Sequence, residues 1–190
     1  MKRMLVIAVT IALATGAVAQ EGGMSPEMQQ AMMKMMTPGE HHGHLAKLAG
    51  KYTFVGKSWM APGAPPEEFT GTRSGEMILG GRFLRETTTS SFEGMPFEGI
   101  GLMAYDNGSE QYVSTWIDNM STAVTTAMGS CSKDGWSLSG EHFNAMTGGM
   151  SKFRNVIRPV NDDSFVFEWH ESGPDGKEYK MMEITYTRQK

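Results

Sequence analysis

The sequence predicts an all-β fold: an antiparallel up-and-down barrel of about ten strands, preceded by one or two short N-terminal helices. From residue 51 onward, apolar and polar side chains alternate with the period of two that is typical of strands. Turn sequences such as Asn107-Gly108 and Asp134-Gly135 separate these runs about every dozen residues. Because an open meander of this length would expose two sheet edges, we expect it to close.

Residues 1–19 have the layout of a secretory signal peptide. Lys2 and Arg3 form a charged start, an apolar run follows, and small residues precede a cleavage site after Ala19. The apolar run is too short to span a bilayer, and no later segment is long enough. We therefore predict a periplasmic or secreted protein without a transmembrane segment.

Charge and cysteine content exclude several classes of function. The chain has 17 Lys and Arg against 21 Asp and Glu, a net charge of −4, so neither nucleic acid nor an anionic membrane is an expected partner. Cys131 is the only cysteine, so no intramolecular disulfide can form. The length predicts one barrel domain over residues 38–190, after a distinct N-terminal extension over residues 20–37.

The extension is rich in methionine and predicts a helix with Ser25 as N-cap and Pro26 as its first residue. Four methionines fall on one stripe of that helix: Met24, Met28, Met32 and Met35. Such a stripe would contact a partner or cover the barrel mouth. Thr37 and Glu40 have capping-box spacing, which predicts a second helix that starts at Thr37 and ends at Gly50.

Ten strands follow from the alternation and the turn sequences. They are predicted at residues 52–60, 68–78, 82–91, 97–105, 111–118, 123–130, 136–143, 151–160, 164–171 and 177–188. Residues 61–67, which are rich in Pro and Gly, predict a longer loop at the barrel rim, and residues 93–96 predict a shorter one.

The central strand, residues 111–118, carries aromatic and acidic side chains on one face. Tyr112, Ser114, Trp116 and Asp118 share that face because side chains alternate along a strand. We interpret it as the leading candidate for a cavity wall. The complete set of candidate ligand-binding residues is Trp59, Arg82, Glu86, Tyr112, Trp116, Asp118, Arg154, Glu168 and Glu183.

Two alternatives for the charged candidates remain open at this stage. Turned inward, arginine and carboxylate side chains would form a buried network or surround the polar end of a ligand. Turned outward, they would simply face water, which is the usual position of charges on antiparallel strands. The alternation sets Glu168 and His170 opposite Phe165 and Phe167, but it does not say which set is inside.

Several motifs in a fixed order resemble the bacterial domain-of-unknown-function family numbered 1579. They lie at residues 42, 45–50, 59, 62–63, 79–84, 95–99, 105–107, 112–121, 176–178 and 182–188. The resemblance covers residues 38–190 and brings no activity or catalytic residue with it. By analogy of fold it implies a calycin-type barrel, a group that includes lipocalins, fatty-acid carriers and haem-binding nitrobindins.

The favoured function is binding of a small apolar or amphiphilic molecule in the barrel. One alternative is copper-type metal binding by His41, His42 and His44 beside the methionine helix, because imidazoles and thioethers suit such metals. Another is a non-catalytic domain that binds a protein partner. No cofactor is expected, and a haem variant would need His42, His142 or His170 as axial ligand.

No catalytic motif supports an enzymatic function. The sequence lacks a Gly-x-Ser-x-Gly elbow, a His-Glu-x-x-His helix and a phosphate-binding glycine loop. A carboxylate pair such as Glu86 and Glu183 could perform acid–base chemistry only if the fold brought the two together.

Overall fold

The computed structural model describes residues 24–145, 147–173 and 176–190. The helices are α1 (Pro26–Met36) and α2 (Glu40–Lys47). The strands are β1 (Gly50–Ser58), β2 (Glu67–Ile78), β3 (Phe83–Phe92), β4 (Met95–Asp106), β5 (Gln111–Asp118), β6 (Thr125–Ser132), β7 (Gly135–Asn144), β8 (Gly149–Asn161), β9 (Ser164–Ser172) and β10 (Glu178–Arg188). The predicted signal peptide lies outside the described residues.

The strands form one closed antiparallel barrel. Each strand pairs with the next along the chain, and β1 pairs with β10 to complete the circle. Hairpin connections favour this order because a tight turn can only join antiparallel neighbours. The predicted up-and-down barrel of ten strands with short N-terminal helices is therefore confirmed.

Apolar side chains fill one end of the barrel, which we call the helix end because α2 lies across it. The alternation on β1 sets Tyr52 and Phe54 inward, and Thr53 and Val55 outward. The buried apolar core consists of Leu45, Leu48, Tyr52, Phe54, Leu84, Met103, Tyr112, Ala127, Trp136, Leu138, Phe153, Phe165, Ile184 and Tyr186. Most of these lie in the strand halves nearest α2, so the opposite half, the far end, is less densely filled.

Helix α2 is bound to the barrel by apolar and polar contacts together. Leu45 and Leu48 are buried against the strands, each contributing about 1.5–3 kcal/mol of transfer free energy. The carbonyls at the end of α2 receive hydrogen bonds from two arginines: Arg73 Nη1 to Leu48 O at 2.8 Å and Arg188 Nη2 to Lys47 O at 2.9 Å. These donors replace the partners that a helix end lacks.

The start of α2 differs from the prediction. Gly39, in extended conformation, is the N-cap, and its N–H donates to His42 Nδ1 at 3.0 Å, so His42 rather than Glu40 makes the return contact of the capping box. Thr37 instead ends α1, where its hydroxyl donates to Met33 O at 2.7 Å. Thr37 precedes Pro38, and a residue before proline is disfavoured in helical conformation. Helix α2 also ends at Lys47, earlier than the predicted Gly50.

Helix α1 begins as predicted, with Ser25 as N-cap and Pro26 at its first turn. None of its residues is buried, and of the methionine stripe Met35 lies against the β4–β5 turn, where a Cβ at Gly108 would stand 3.4 Å from Met35 Cε. The helix is held by hydrogen bonds to its C-terminal carbonyls from Asn107 and Arg82. Within the described ranges, no helix is long and apolar enough to cross a membrane.

Candidate functional site

The predicted wall on β5 faces the barrel interior. Tyr112 is fully buried at the helix end, and Trp116 lies over Gly99 of β4 in the far half. The Trp116 indole N–H donates to Asp118 Oδ2 at 2.9 Å, while the other Asp118 oxygen accepts from the Met120 N–H at 3.0 Å. Asp118 therefore fixes the indole and the following turn.

Glycines on the inner wall allow aromatic rings to lie flat along it. A Cβ at Gly99 would stand 2.2 Å from Trp116, one at Gly56 would stand 2.3 Å from Phe69, and one at Gly71 would stand 2.4 Å from Phe54. A side chain at these positions would push each ring toward the barrel axis. The glycines thus keep interior space free that a usual barrel core would fill.

Solvent reaches the interior as far as the middle of the barrel. Glu86 points inward at the centre of β3, against Gly101, yet 29% of its side chain is exposed. Trp116, Phe69 and Phe97 on the inner wall are also only partly buried. These inward side chains are therefore not fully covered by their neighbours, in contrast to the buried core at the helix end.

Glu86 forms the floor of this space together with Arg73. The Arg73 guanidinium donates through Nε to Glu86 Oε2 at 2.5 Å, and only 3% of its side chain is exposed. It is surrounded by the rings of Tyr52, Phe165 and Tyr186 at 5.4–5.8 Å from their centroids. Burial, with the nearby Glu86 charge, raises the pKa of Tyr186.

A second polar group lies on the inner wall where β7 and β9 approach the far end. His142 Nε2 is 3.1 Å from Glu171 Oε1, and Asn144 donates to the same oxygen at 2.7 Å. The Glu171 side chain is completely buried, whereas 25% of the His142 side chain is exposed. Its ring meets the stacked rings of Phe153 and Trp169 edge-on, so the imidazole is a polar group on an otherwise aromatic wall.

The register places three of the predicted cavity residues, Arg154, Glu168 and Glu183, on the outer wall. Phe165, Phe167, Trp169 and Glu171 occupy the inward phase of β9, which turns Glu168 and His170 outward. Arg154 and Glu183 follow the same outward phase, opposite His170 and Glu168 respectively. These predicted cavity residues do come together, but outside the barrel.

The outer charges form a paired network around Glu168. Arg158 donates to both Glu168 oxygens at 2.8 and 3.0 Å, and His170 lies 3.0 Å away. Although burial opposes its charged form, the hydrogen bonds from Arg158 and His170 lower the pKa of Glu168 to about 2. Lys180 also contacts Glu168 and Glu183. The network satisfies its own charges and so needs no ligand.

Two further candidates lie away from the interior. Trp59 follows β1, and Lys180 Nζ, which belongs to the outer network, lies 5.5 Å from its ring centroid. Arg82 lies in the turn between β2 and β3, where it donates to Leu79 O at 3.1 Å and to Met36 O at 2.6 Å. Arg82 therefore joins α1 to the barrel.

The three histidines proposed as metal ligands are occupied in packing α2. His41 stacks on Tyr105 at 4.0 Å between centroids, and the Nδ1 atoms of His41 and His44 lie 3.1 and 3.3 Å from the Tyr112 hydroxyl. Burial lowers the pKa of His42, whose Nδ1 serves the capping box. In the part of the chain that the structure describes, no group of three or more His, Cys, Asp or Glu side chains could hold a metal ion.

Sequence reasoning did not single out Arg73 or Glu171. The signal for Arg73 was its inward phase between Gly71 and Gly75, since an arginine flanked by glycines has room to cross the interior. The signal for Glu171 was its phase with Phe165, Phe167 and Trp169, which makes it a carboxylate on an aromatic face.

One solved structure supports the fold, and two others align with lower TM-scores. The crystal structure of Rv2717c from M. tuberculosis aligns over 81% of this chain and 100% of its own, with 14% identity and a TM-score of 0.55. A de novo designed fluorescence-activating β-barrel aligns over 76% of this chain and 96% of its own, with 14% identity and a TM-score of 0.43. A redesigned β-barrel aligns over 77% and 95%, with 11% identity and a TM-score of 0.40.

No curated protein sequence matches this chain. A family model described as "Protein of unknown function (DUF1579)" matches residues 37–188, which include α2 and all ten strands. The match covers more than half of the chain, and it agrees with the family that the sequence motifs indicated. The chain therefore belongs to the DUF1579 family.

Proposed function

We propose that the far half of the barrel binds a small apolar or amphiphilic molecule. The observation that carries this proposal is the partly exposed Glu86 at mid-barrel, beneath aromatic rings that lie flat against the wall glycines. Apolar walls with a few fixed polar groups are the usual composition of small-molecule sites. A ligand would bury Trp116 and Phe69, which the protein alone leaves partly exposed.

The charges on the inner wall favour some ligands over others. Arg73 is already paired with Glu86 and bonded to the Leu48 carbonyl, so its charge is not available to an incoming anion. Asp118 and Glu171 add further carboxylates to the interior. A neutral ligand, or one with a positive end, therefore fits the interior better than an anionic one.

The test uses Prodan, a neutral naphthalene probe whose emission depends on the polarity of its surroundings. We expect saturable binding with a blue-shifted emission. Trp116→Ala should raise the Kd about fivefold or more, since removing an aromatic wall contact costs about 1 kcal/mol or more. Thermal unfolding of each variant confirms that it is folded.

Trp59→Ala is the matched control, because Trp59 lies against the outer Lys180 rather than inside the barrel. The outer wall also carries a shallow groove of about 450 Å³ beside Arg154, which is an alternative binding place. Binding there would be insensitive to Trp116→Ala. Equal affinities of the wild type and both variants would therefore rule out the interior site.

A further inference from the structure

The imidazole of His142 is a partly exposed polar group of the second inner cluster. It projects from β7 on the inward phase, and its ring meets Phe153 and Trp169 edge-on at centroid distances of 5.7 and 5.5 Å. Those two rings stack on each other at 4.3 Å, with their planes 13° apart. His142 thus stands beside a flat aromatic surface inside the barrel.

Glu171 determines which nitrogen of this imidazole carries a hydrogen. A carboxylate only accepts hydrogen bonds, so the 3.1 Å contact with Glu171 Oε1 assigns the hydrogen to His142 Nε2. In the neutral ring, Nδ1 then holds a lone pair. Within the described residues Nδ1 has no hydrogen-bond partner, and 25% of the side chain is exposed.

The polar atoms around this imidazole are not saturated by the protein. Glu171 Oε2 and the Trp169 indole nitrogen are buried without a hydrogen-bond partner among the described residues. Asn155 Oδ1 is also buried without such a partner, but it lies farther along β8, opposite Leu138 and Trp169 rather than His142. Buried polar groups are normally paired, and an unpaired set on one wall marks a place where the protein has retained polarity at a cost in stability.

We propose that His142 recognises a hydroxyl group on a flat, otherwise apolar ligand. The ligand O–H donates to His142 Nδ1, the ring of the ligand packs on the partly exposed Trp169 ring, which Phe153 supports from its other face, and Glu171 positions the imidazole. This assignment rests on the proposed binding function and adds the polar feature of the ligand. A hydroxyl is favoured over an anion because Nδ1 offers a lone pair and because Glu171 lies next to the ring.

The test compares 2-naphthol with 2-methoxynaphthalene, in which a methyl group replaces the hydroxyl hydrogen and so removes the donor. Wild-type protein should bind 2-naphthol about tenfold more tightly, because a site that accepts a hydrogen bond discriminates against the analogue that lacks the donor. His142→Phe should bind both probes equally, and Glu171→Gln should reduce the preference. His170→Phe is the matched control, because His170 lies on the outer wall against Glu168 and should leave the preference unchanged.

A second measurement uses only the wild type, so its result does not depend on whether the variants fold. The ¹⁵N resonance of His142 Nδ1 should shift on addition of 2-naphthol and stay in place with 2-methoxynaphthalene. Equal affinity of the two probes, or an unshifted Nδ1, overturns the assignment of His142 while leaving interior binding intact. If neither naphthalene nor Prodan binds, the proposed function and this inference both fail.

Discussion

A single methyl group at Gly99 should close part of the binding space. In Gly99→Ala the new Cβ would lie 2.2 Å from Trp116 Cζ2, whereas ordinary contact requires 3.4–4 Å. The indole must therefore move by about 1–2 Å toward the barrel axis, which strains its hydrogen bond to Asp118. Overpacking of this kind costs about 1–3 kcal/mol, and replacing a strand glycine by alanine returns about 0.5–1 kcal/mol.

The net effect is a loss of about 1 kcal/mol in the free energy of unfolding, which lowers the Tm by about 2–4 °C in a domain of this size. The displaced indole should also raise the Kd for Prodan about fivefold. Calorimetry and fluorescence titration measure the two effects. Gly149→Ala on β8 is the control, because a Cβ there would meet nothing within 4 Å. Unchanged Prodan affinity and unchanged tryptophan emission in Gly99→Ala would refute the argument that flat rings keep the interior open.

Two further predictions concern the charged residues. The pKa of Glu168, about 2 when folded, lies below the ordinary 4.5, so its stabilisation is fully present above pH 4.5 and is lost as the pH falls toward 2. Between pH 4.5 and pH 2 the free energy of unfolding of the wild type should fall by about 1–2 kcal/mol more than that of Glu168→Gln, a value reduced by solvent screening at the half-exposed Arg158. Urea unfolding at a series of pH values measures this difference, and an equal fall in both proteins would contradict the prediction. Arg73→Met should lower the free energy of unfolding by about 3–5 kcal/mol, because Glu86 loses its partner, and Glu86→Gln in the Arg73→Met background should recover part of that loss if the unpaired charge is the cause.

The architecture followed from the sequence because barrel closure depends on features that are local in the chain. Alternating side chains and short turns identified all ten strands, and the central strand, Gln111–Asp118, has the predicted bounds. The other strands differ from the predicted bounds by at most two residues at either end. Where a strand ends depends on which backbone groups of the neighbouring strand are in position to form the last hydrogen bonds. Helix α2 starts two to three residues later than predicted. Its capping box is formed by Gly39 and His42, whereas the prediction used Thr37 and Glu40, which have the same three-residue spacing.

The site was only partly predictable, because alternation defines two faces without saying which is inside. The Tyr112–Trp116 face was assigned to the interior, where the structure places it. Glu168 was named as a candidate cavity residue with its orientation left open, and the structure buries it beneath Arg158 and His170 on the outer wall. Burial of a carboxylate by long neighbouring side chains depends on the register of three strands. The alternation pattern within a single strand carries no information about that register.

Hydrogen bonds from Arg188 join the last strand of the barrel to the end of α2. Its Nη1 donates to Ala49 O at 2.7 Å and its Nη2 to Lys47 O, so the last strand completes the end of the second helix. Arg188 therefore takes part both in the pairing of β1 with β10 and in the closure of the helix end, with partners about 140 residues earlier in the sequence. During synthesis, β10 must leave the ribosome before β1 can pair with it and before Arg188 can bond to α2. The barrel therefore stays open until the last strand has been added.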